Sequence, residues 1–307
     1  MQVFKDWNGI PAQARGTSVA MGNFDGVHLG HQSVIGLARR AAPLGIVTFE
    51  PHPREFFSPG AAPFRLMNAE ARANRLAKLG VQHLFELPFD AVMAAFPAEA
   101  FAREVLAEGL GVSHVVVGAD FCFGAGRKGT AADLRAMGQR MGFEVTIADL
   151  VQHGNREVSS TAIRQALAVG NPREAAAMLG HLHRIEGEVV HGEKRGRDLG
   201  YPTANMSVQG LHLPRFGVYA VKVDILTGPQ AGSYLGAASL GVRPQFGGAV
   251  PNLETFIFDF KGDLYGHHLS VALVDYLRPE MKFDGLQGLL DQMAADCEKA
   301  RGILAGV

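Results

Sequence analysis

Met21-Gly22-Asn23-Phe24-Asp25-Gly26-Val27-His28-Leu29-Gly30-His31 follows a short apolar run, Thr17 to Ala20, and precedes a stretch from Gln32 to Ala42 with helical spacing. Together these give a strand, a glycine-rich turn and a helix N-terminus. The first turn of a helix leaves backbone N–H groups unpaired and carries partial positive charge, so anions bind there. Glycines admit an anion close to the backbone, and His28 and His31, three residues apart, can both donate to it. The stretch therefore reads as a nucleotide-phosphate site. A zinc pair is the rival reading, but zinc needs three or four ligands and no further Cys or His stands nearby in sequence.

Outward from this stretch, apolar runs alternate with amphipathic ones. Residues 45–49, 82–87, 113–118 and 144–147 read as strands, while 69–79, 97–110 and 130–141 read as helices. Such alternation predicts an α/β domain with a parallel, doubly wound sheet, whose ligands bind beyond the carboxyl ends of the strands. The loop Glu50-Pro51-His52-Pro53 and the turn Gly118-Ala119-Asp120 both follow strands and should share a rim with the first stretch. Residues 158–169 begin another helix. Ser159, Ser160 and Thr161 are explained by capping, but capping has no use for the cation Arg164 in the first turn.

Near Gly180–Arg184 the pattern changes. Residues 185–190, 218–225, 233–240, 253–260 and 268–277 read as strands with no helix between them, followed by an amphipathic helix over 286–304. An all-β unit is expected here, a small antiparallel barrel with a terminal helix. The predicted domains are 1–182 and 183–307. Gly192 to Gly200 is glycine-punctuated and basic, either a phosphate cradle or a solvated turn. Thr203 and Asn205 share one face of an extended segment and offer oxygen ligands to a hard cation such as Mg²⁺. Glu254 leads an apolar strand, an unusual place for a carboxylate without a task or an ion-pair partner.

Composition narrows the function classes. Across 307 residues, 47% are hydrophobic and 19% charged, as in globular proteins, and a net charge of −1 gives no electrostatic footprint for nucleic acid. Two distant cysteines, Cys122 and Cys297, have no metal-type spacing, which fits a reducing cytoplasm. No run has signal-peptide character or the ~20 apolar residues of a membrane span. A homo-oligomer is left open.

With these stretches assembled, the chain resembles, over nearly its whole length, the bacterial bifunctional riboflavin kinase/FMN adenylyltransferase (FAD synthetase) family. Residues 22–31, 48–53, 159–164, Pro202-Thr203-Ala204-Asn205 and Asp263-Leu264-Tyr265-Gly266 carry the resemblance by occurring in this order. It implies a Rossmann-like nucleotidyltransferase domain that adenylylates FMN and a barrel that phosphorylates riboflavin, with riboflavin, FMN and ATP as substrates and Mg²⁺ as cofactor. His28, His31 and Arg164 would act on the ATP phosphates, and Gly22, Phe24, Asp25, Gly26, Ser159, Ser160 and Thr161 would line that site. Pro51, His52, Pro53 and Asp120 would meet the flavin. In the barrel, Gly192, Arg197, Thr203 and Asn205 would bind ATP, the last two also its metal, and Glu254 would be the general base. The chain departs from the family pattern at Cys122, Gln245 and Phe256. An adenylyltransferase whose barrel only binds flavin is the competing function.

Overall fold

The computed structural model describes residues 1–149, 151–153, 156–191, 199–245 and 248–306. The chain divides into two compact units, Met1–Ala62 with Arg72–Val158, and Pro63–Ala71 with Ser159–Val307.

In the first unit, β1 (Gln2–Phe4), β2 (Ser18–Met21), β3 (Leu44–Glu50), β4 (His83–Pro88), β5 (His114–Gly118) and, after a hairpin of β6 (Cys122–Phe123) and β7 (Gly129–Thr130), β8 (Glu144–Ala148) build one sheet. Its order is β1-β4-β3-β2-β5-β8, and every sheet pair is parallel. Val19, Met21, Val47, Phe85 and Val115 face a core that includes Leu106, Leu110 and Leu134. Alternate residues Ala20, Ile46, Leu84 and Val116 are fully buried as well. Burial on both faces explains why these strands read as continuous apolar runs. The expected parallel α/β sheet is present. β1 is an addition, because three largely exposed residues carry no pattern that sequence can register.

Two helix boundaries differ from expectation. Helix α1 spans Leu29–Leu37, not Gln32 to Ala42. It starts early because His28 caps it, and it stops early because Ser18 Oγ donates to Ala38 O, taking that carbonyl out of the helix. Within 97–110, Ala98–Ala100 is α-helical and Phe101–Leu110 is a π-helix ending at Gly111, whose φ of 61° is readily available to glycine. A five-residue helix α2 (Pro53–Phe57) also follows the 50–53 loop.

The first unit ends with a short antiparallel pair, β9 (Gln152–His153) and β10 (Arg156–Glu157). The second unit holds a closed six-stranded antiparallel barrel. Its strands are β11 (His183–Val190), β12 (Thr203–Ser207), β13 (Gly217–Ile225), β14 (Gly232–Gln245), β15 (Gly248–Ile257) and β16 (His268–Arg278), in the order β11-β12-β15-β14-β13-β16. Five of these were expected as strands, and the sixth is the extended segment at Thr203. Tyr219, Val221, Val223, Leu253 and Val271 fill the interior. On the outer face, Val218, Ala220, Ala237 and Phe258 pack against Ala300 and Leu304 of the terminal helix Leu286–Leu304. Pleating makes this possible: successive side chains alternate between the barrel core and the helix.

Candidate active sites

The turn from β2 into α1 is tightly built. Gly22 N–H donates to Val47 O on the neighbouring strand, and Val27 N–H closes a turn on Phe24 O at 3.2 Å. Phe24, Gly26 and Val27 all have positive φ, at 53°, 86° and 44°. For a β-branched valine that is a strained conformation, of the kind held only where surrounding structure fixes it. Phe24, Asp25 and His28 are buried. His28 is the N-cap of α1, its Nδ1 accepting the His31 N–H at 3.3 Å, and its ring stacks on that of His31 at 3.7 Å. A Cβ on Gly30 would lie 3.1 Å from the His28 ring, so this helical glycine makes room for the imidazole.

His31 Nδ1 is enclosed without a hydrogen-bond partner among the described residues. Burial, and secondarily the neighbouring His28, hold the His31 pKa well below the usual imidazole range. A neutral imidazole still donates through its N–H, and an anion beside it favours the protonated form, which suits a site that receives phosphate.

β3 and β5 flank β2, so their carboxyl ends put Pro51, His52, Pro53 and Asp120 on the rim beside Gly22 and Gly26. Arg72, 4% exposed, bonds Glu86 Oε2 at 2.6 Å and Glu50 Oε2 at 2.9 Å, fixing the strand end that leads into this loop. His52 Nδ1 accepts the Arg54 N–H and Glu55 accepts the His52 N–H, a capping box that sets Pro53 at the start of α2. The imidazole is thus engaged in capping. Asp120 is exposed. The sequence reading missed the adjoining aromatic ledge, where the rings of Phe49, Phe56 and Phe57 each meet Phe89 at 5.5–5.7 Å and Phe57 is 66% exposed.

Ser159 is the N-cap of the helix Ser160–Ala168, its Oγ accepting the Ala162 N–H, so the capping reading holds for this hydroxyl. Arg164 Nε donates to Phe64 O at 2.7 Å, Nη1 reaches Thr161 Oγ1, and the guanidinium lies 5.5 Å from the Phe64 ring centre.

In the barrel, Asn205 pairs with Glu254 and Thr203 with Phe256 across β12 and β15. All four are on the outer face. A cavity of about 290 Å³ lies over this face, walled by Tyr201, Thr203, Ser239, Glu254 and Phe256 and, from the terminal helix, Met293 and Cys297. A second cavity of about 270 Å³, lined by Pro202, Thr203, Thr255, Phe260, Leu264 and Tyr265, shares Thr203 with the first. Asn205 is buried, its Oδ1 accepting from Asn252 Nδ2 at 2.9 Å and its Nδ2 donating to Thr203 O. Gly192 and Arg197 lie outside the described residues, as does the side chain of Gln245. Phe256, one of the departures from the resembled pattern, packs edge-on against Tyr201 at 5.1 Å.

Arg278 and Asp296 went unnoticed in the sequence. Arg278 Nε and Nη2 grip the Asp296 carboxylate at 2.7–3.0 Å, joining the end of β16 to the terminal helix at the cavity rim. An Arg-Pro-Glu run before a helix hints at this only once the helix is known to fold back. Among the described residues no group of three or more His, Cys, Asp or Glu could hold a metal, and no helix is long and apolar enough to cross a membrane.

Comparison with known proteins places FAD synthetase similarity over residues 10–162 and riboflavin kinase similarity over residues 179–304. Among similar curated proteins, the bifunctional riboflavin kinase/FMN adenylyltransferase of Pseudomonas fluorescens is 40% identical over 99% of this chain and 98% of its own. That of Escherichia coli K12 is 39% identical over 94% of this chain and 93% of its own. A crystal structure from Streptococcus pneumoniae, named a macrolide-efflux protein, is 34% identical, covers 98% of both chains and superposes with a TM-score of 0.82.

Proposed function

Because the chain belongs to the bifunctional riboflavin kinase/FMN adenylyltransferase family, we propose how its residues divide two reactions between them. The protein is an enzyme that phosphorylates riboflavin with ATP to give FMN, then transfers AMP from a second ATP to FMN, releasing pyrophosphate. We assign the second step to residues 1–182 and the first to 183–307.

For the kinase step, the carrying observation is the shared wall at Thr203, with Glu254 facing one of the two cavities that meet there. Riboflavin occupies the cavity under the terminal helix and ATP the one bounded by Phe260 and Tyr265, so alcohol and γ-phosphate meet at Thr203. Glu254 takes the proton of the ribityl hydroxyl as its oxygen attacks the γ-phosphorus and ADP leaves. Thr203 and Asn205 are neutral oxygen donors beside a carboxylate, a set that fits Mg²⁺ carried mainly by nucleotide phosphates. Such an ion would neutralise charge on those phosphates. Asn252, by donating to Asn205 Oδ1, keeps that oxygen oriented.

For adenylyl transfer, the FMN phosphate is already an anion and needs no base. It attacks the α-phosphorus, and the work left to the protein is positioning and charge stabilisation. Gly22, Phe24, Asp25 and Gly26 shape the turn, the α1 N-terminus and the His28–His31 pair receive the phosphates, and the Phe56–Phe57–Phe89 ledge with Pro51, His52, Pro53 and Asp120 receives the flavin. Arg164, with Ser159, Ser160 and Thr161, follows charge onto the pyrophosphate, for which it must leave the Phe64 carbonyl. The enzyme works in the cytoplasm.

Product analysis tests the division. Wild-type protein with riboflavin, ATP and Mg²⁺ yields FMN, then FAD. Glu254→Gln yields neither from riboflavin yet still converts supplied FMN to FAD. Equal loss of both conversions removes Glu254 from the role of base.

A further inference from the structure

One polar group in the barrel-end cavity is unused by the roles above. Thr255 is fully buried, and its Oγ1 has no hydrogen-bond partner among the described residues. It follows Glu254 in β15 and so faces the opposite way, toward the barrel core rather than the terminal helix. Its partners across the two ladders are Ala204 and Ala238, both core-facing and small. Along that row of short side chains Thr255 lines the cavity with the apolar Val189, Ile257, Phe260 and Leu264, and the charged Lys261 and Asp263 line it as well.

A buried hydroxyl without a partner loses its water and gains nothing, so each such group calls for an explanation. Shape is no explanation, since valine would fill the same volume. The surroundings restrict which ligand could supply the partner. Aliphatic and aromatic side chains beside an unpaired hydroxyl suit a nucleoside, whose flat faces contact carbon while a ring nitrogen or sugar hydroxyl makes the bond. Phosphate oxygens would be stranded among Val189, Ile257 and Leu264, and under the proposed function they lie at Thr203, on the wall shared with the flavin cavity.

We infer that the Thr255 hydroxyl binds the nucleoside part of the phosphoryl donor, completing its hydrogen bonding only when the nucleotide is seated. This rests on the reading that the cavity takes ATP. Nucleotide binding then relieves a polar atom that the empty barrel leaves unsatisfied, and a donor offering no partner there is rejected for the same reason.

Thr255→Val keeps the shape and removes the hydroxyl. The expected result is a rise of roughly 2- to 10-fold in the kinase KM for ATP, the loss of one uncharged hydrogen bond. The KM for riboflavin and the conversion of FMN to FAD should stay at their wild-type values, the melting temperature should not fall, and Thr255→Ser should restore ATP use. Inosine triphosphate and 2′-deoxy-ATP locate the contact. If the variant loses discrimination against the first, the base edge is bound, and if against the second, the ribose. An unchanged KM for ATP overturns the inference, as does an equal rise in the KM for riboflavin, which would mean a distorted barrel. Should valine disturb folding, Thr255→Ala must weaken ADP binding by calorimetry at least as much, or the inference is wrong. The underlying reading is tested separately by Thr203→Val. If that change leaves ATP use by the barrel intact, the cavity is not the ATP site, whatever Thr255 does.

Discussion

Asp296→Asn isolates what holds the terminal helix over the cavity proposed for riboflavin. Asp296 and Arg278 are 8% and 16% exposed at their side chains and share three charge-assisted hydrogen bonds, while Gln292 adds a fourth to Asp296. Removing one charge strands the other in a poorly solvated place. Breaking a buried pair in this way costs about 3–5 kcal/mol, and because asparagine keeps one acceptor the low end applies. For a unit of this size that corresponds to a fall of roughly 6–12 °C in melting temperature. The functional effect follows from the geometry. Met293, one turn before Asp296, and Cys297, next to it in the chain, form the helix wall of the cavity, so loosening the helix raises the KM for riboflavin while the conversion of supplied FMN continues. Arg278→Leu combined with Asp296→Leu removes both charges and should cost less than Asp296→Asn alone. Thermal unfolding followed by calorimetry, together with riboflavin saturation curves, checks all three variants. A melting temperature within ~2 °C of wild type for Asp296→Asn, with unchanged riboflavin KM, would refute the claim that this pair seats the helix.

His28→Ala removes both the helix cap and one member of the stacked pair. FAD formation from supplied FMN should drop by about 10²- to 10³-fold, the usual effect of deleting a preorganised donor, with FMN formation from riboflavin retained. An unaffected FAD yield would place His28 outside the reaction. His183 provides a pH test. It is 3% exposed, and burial first, then the nearby His181 and His212, push its pKa down to about 3. The folded protein keeps this ring neutral while the unfolded chain protonates it near 6.5, so stability present above pH 6.5 is lost as pH falls toward 3. From pH 6.5 to 4 this one group removes up to about 3 kcal/mol. Denaturant titrations of His183→Gln should show a pH dependence shallower by as much as one proton over that window. A slope identical to wild type would mean that His183 titrates alike in both states.

The sequence by itself determined much of this protein. Strand and helix periodicities mark an α/β half and an all-β half because parallel strands buried on both faces must be apolar throughout, whereas barrel strands are separated by turns. The turn that carries His28 and His31 was legible because a glycine-rich strand-to-helix turn is a local structure, complete within about ten residues. Glu254 stood out as a carboxylate in an apolar strand. The tertiary structure decided what depends on register and on distant segments. That Glu254 faces the terminal helix and Thr255 the barrel core follows from pleating, but which face is which is set only when β15 pairs with β12 and β14. The early end of α1 depends on Ser18, twenty residues before Ala38. The Arg278–Asp296 grip and the Phe89 ledge join residues whose sequence neighbourhoods say nothing of one another. Local chemistry is written in short motifs, while walls and clamps arise where chain closure brings unrelated positions together.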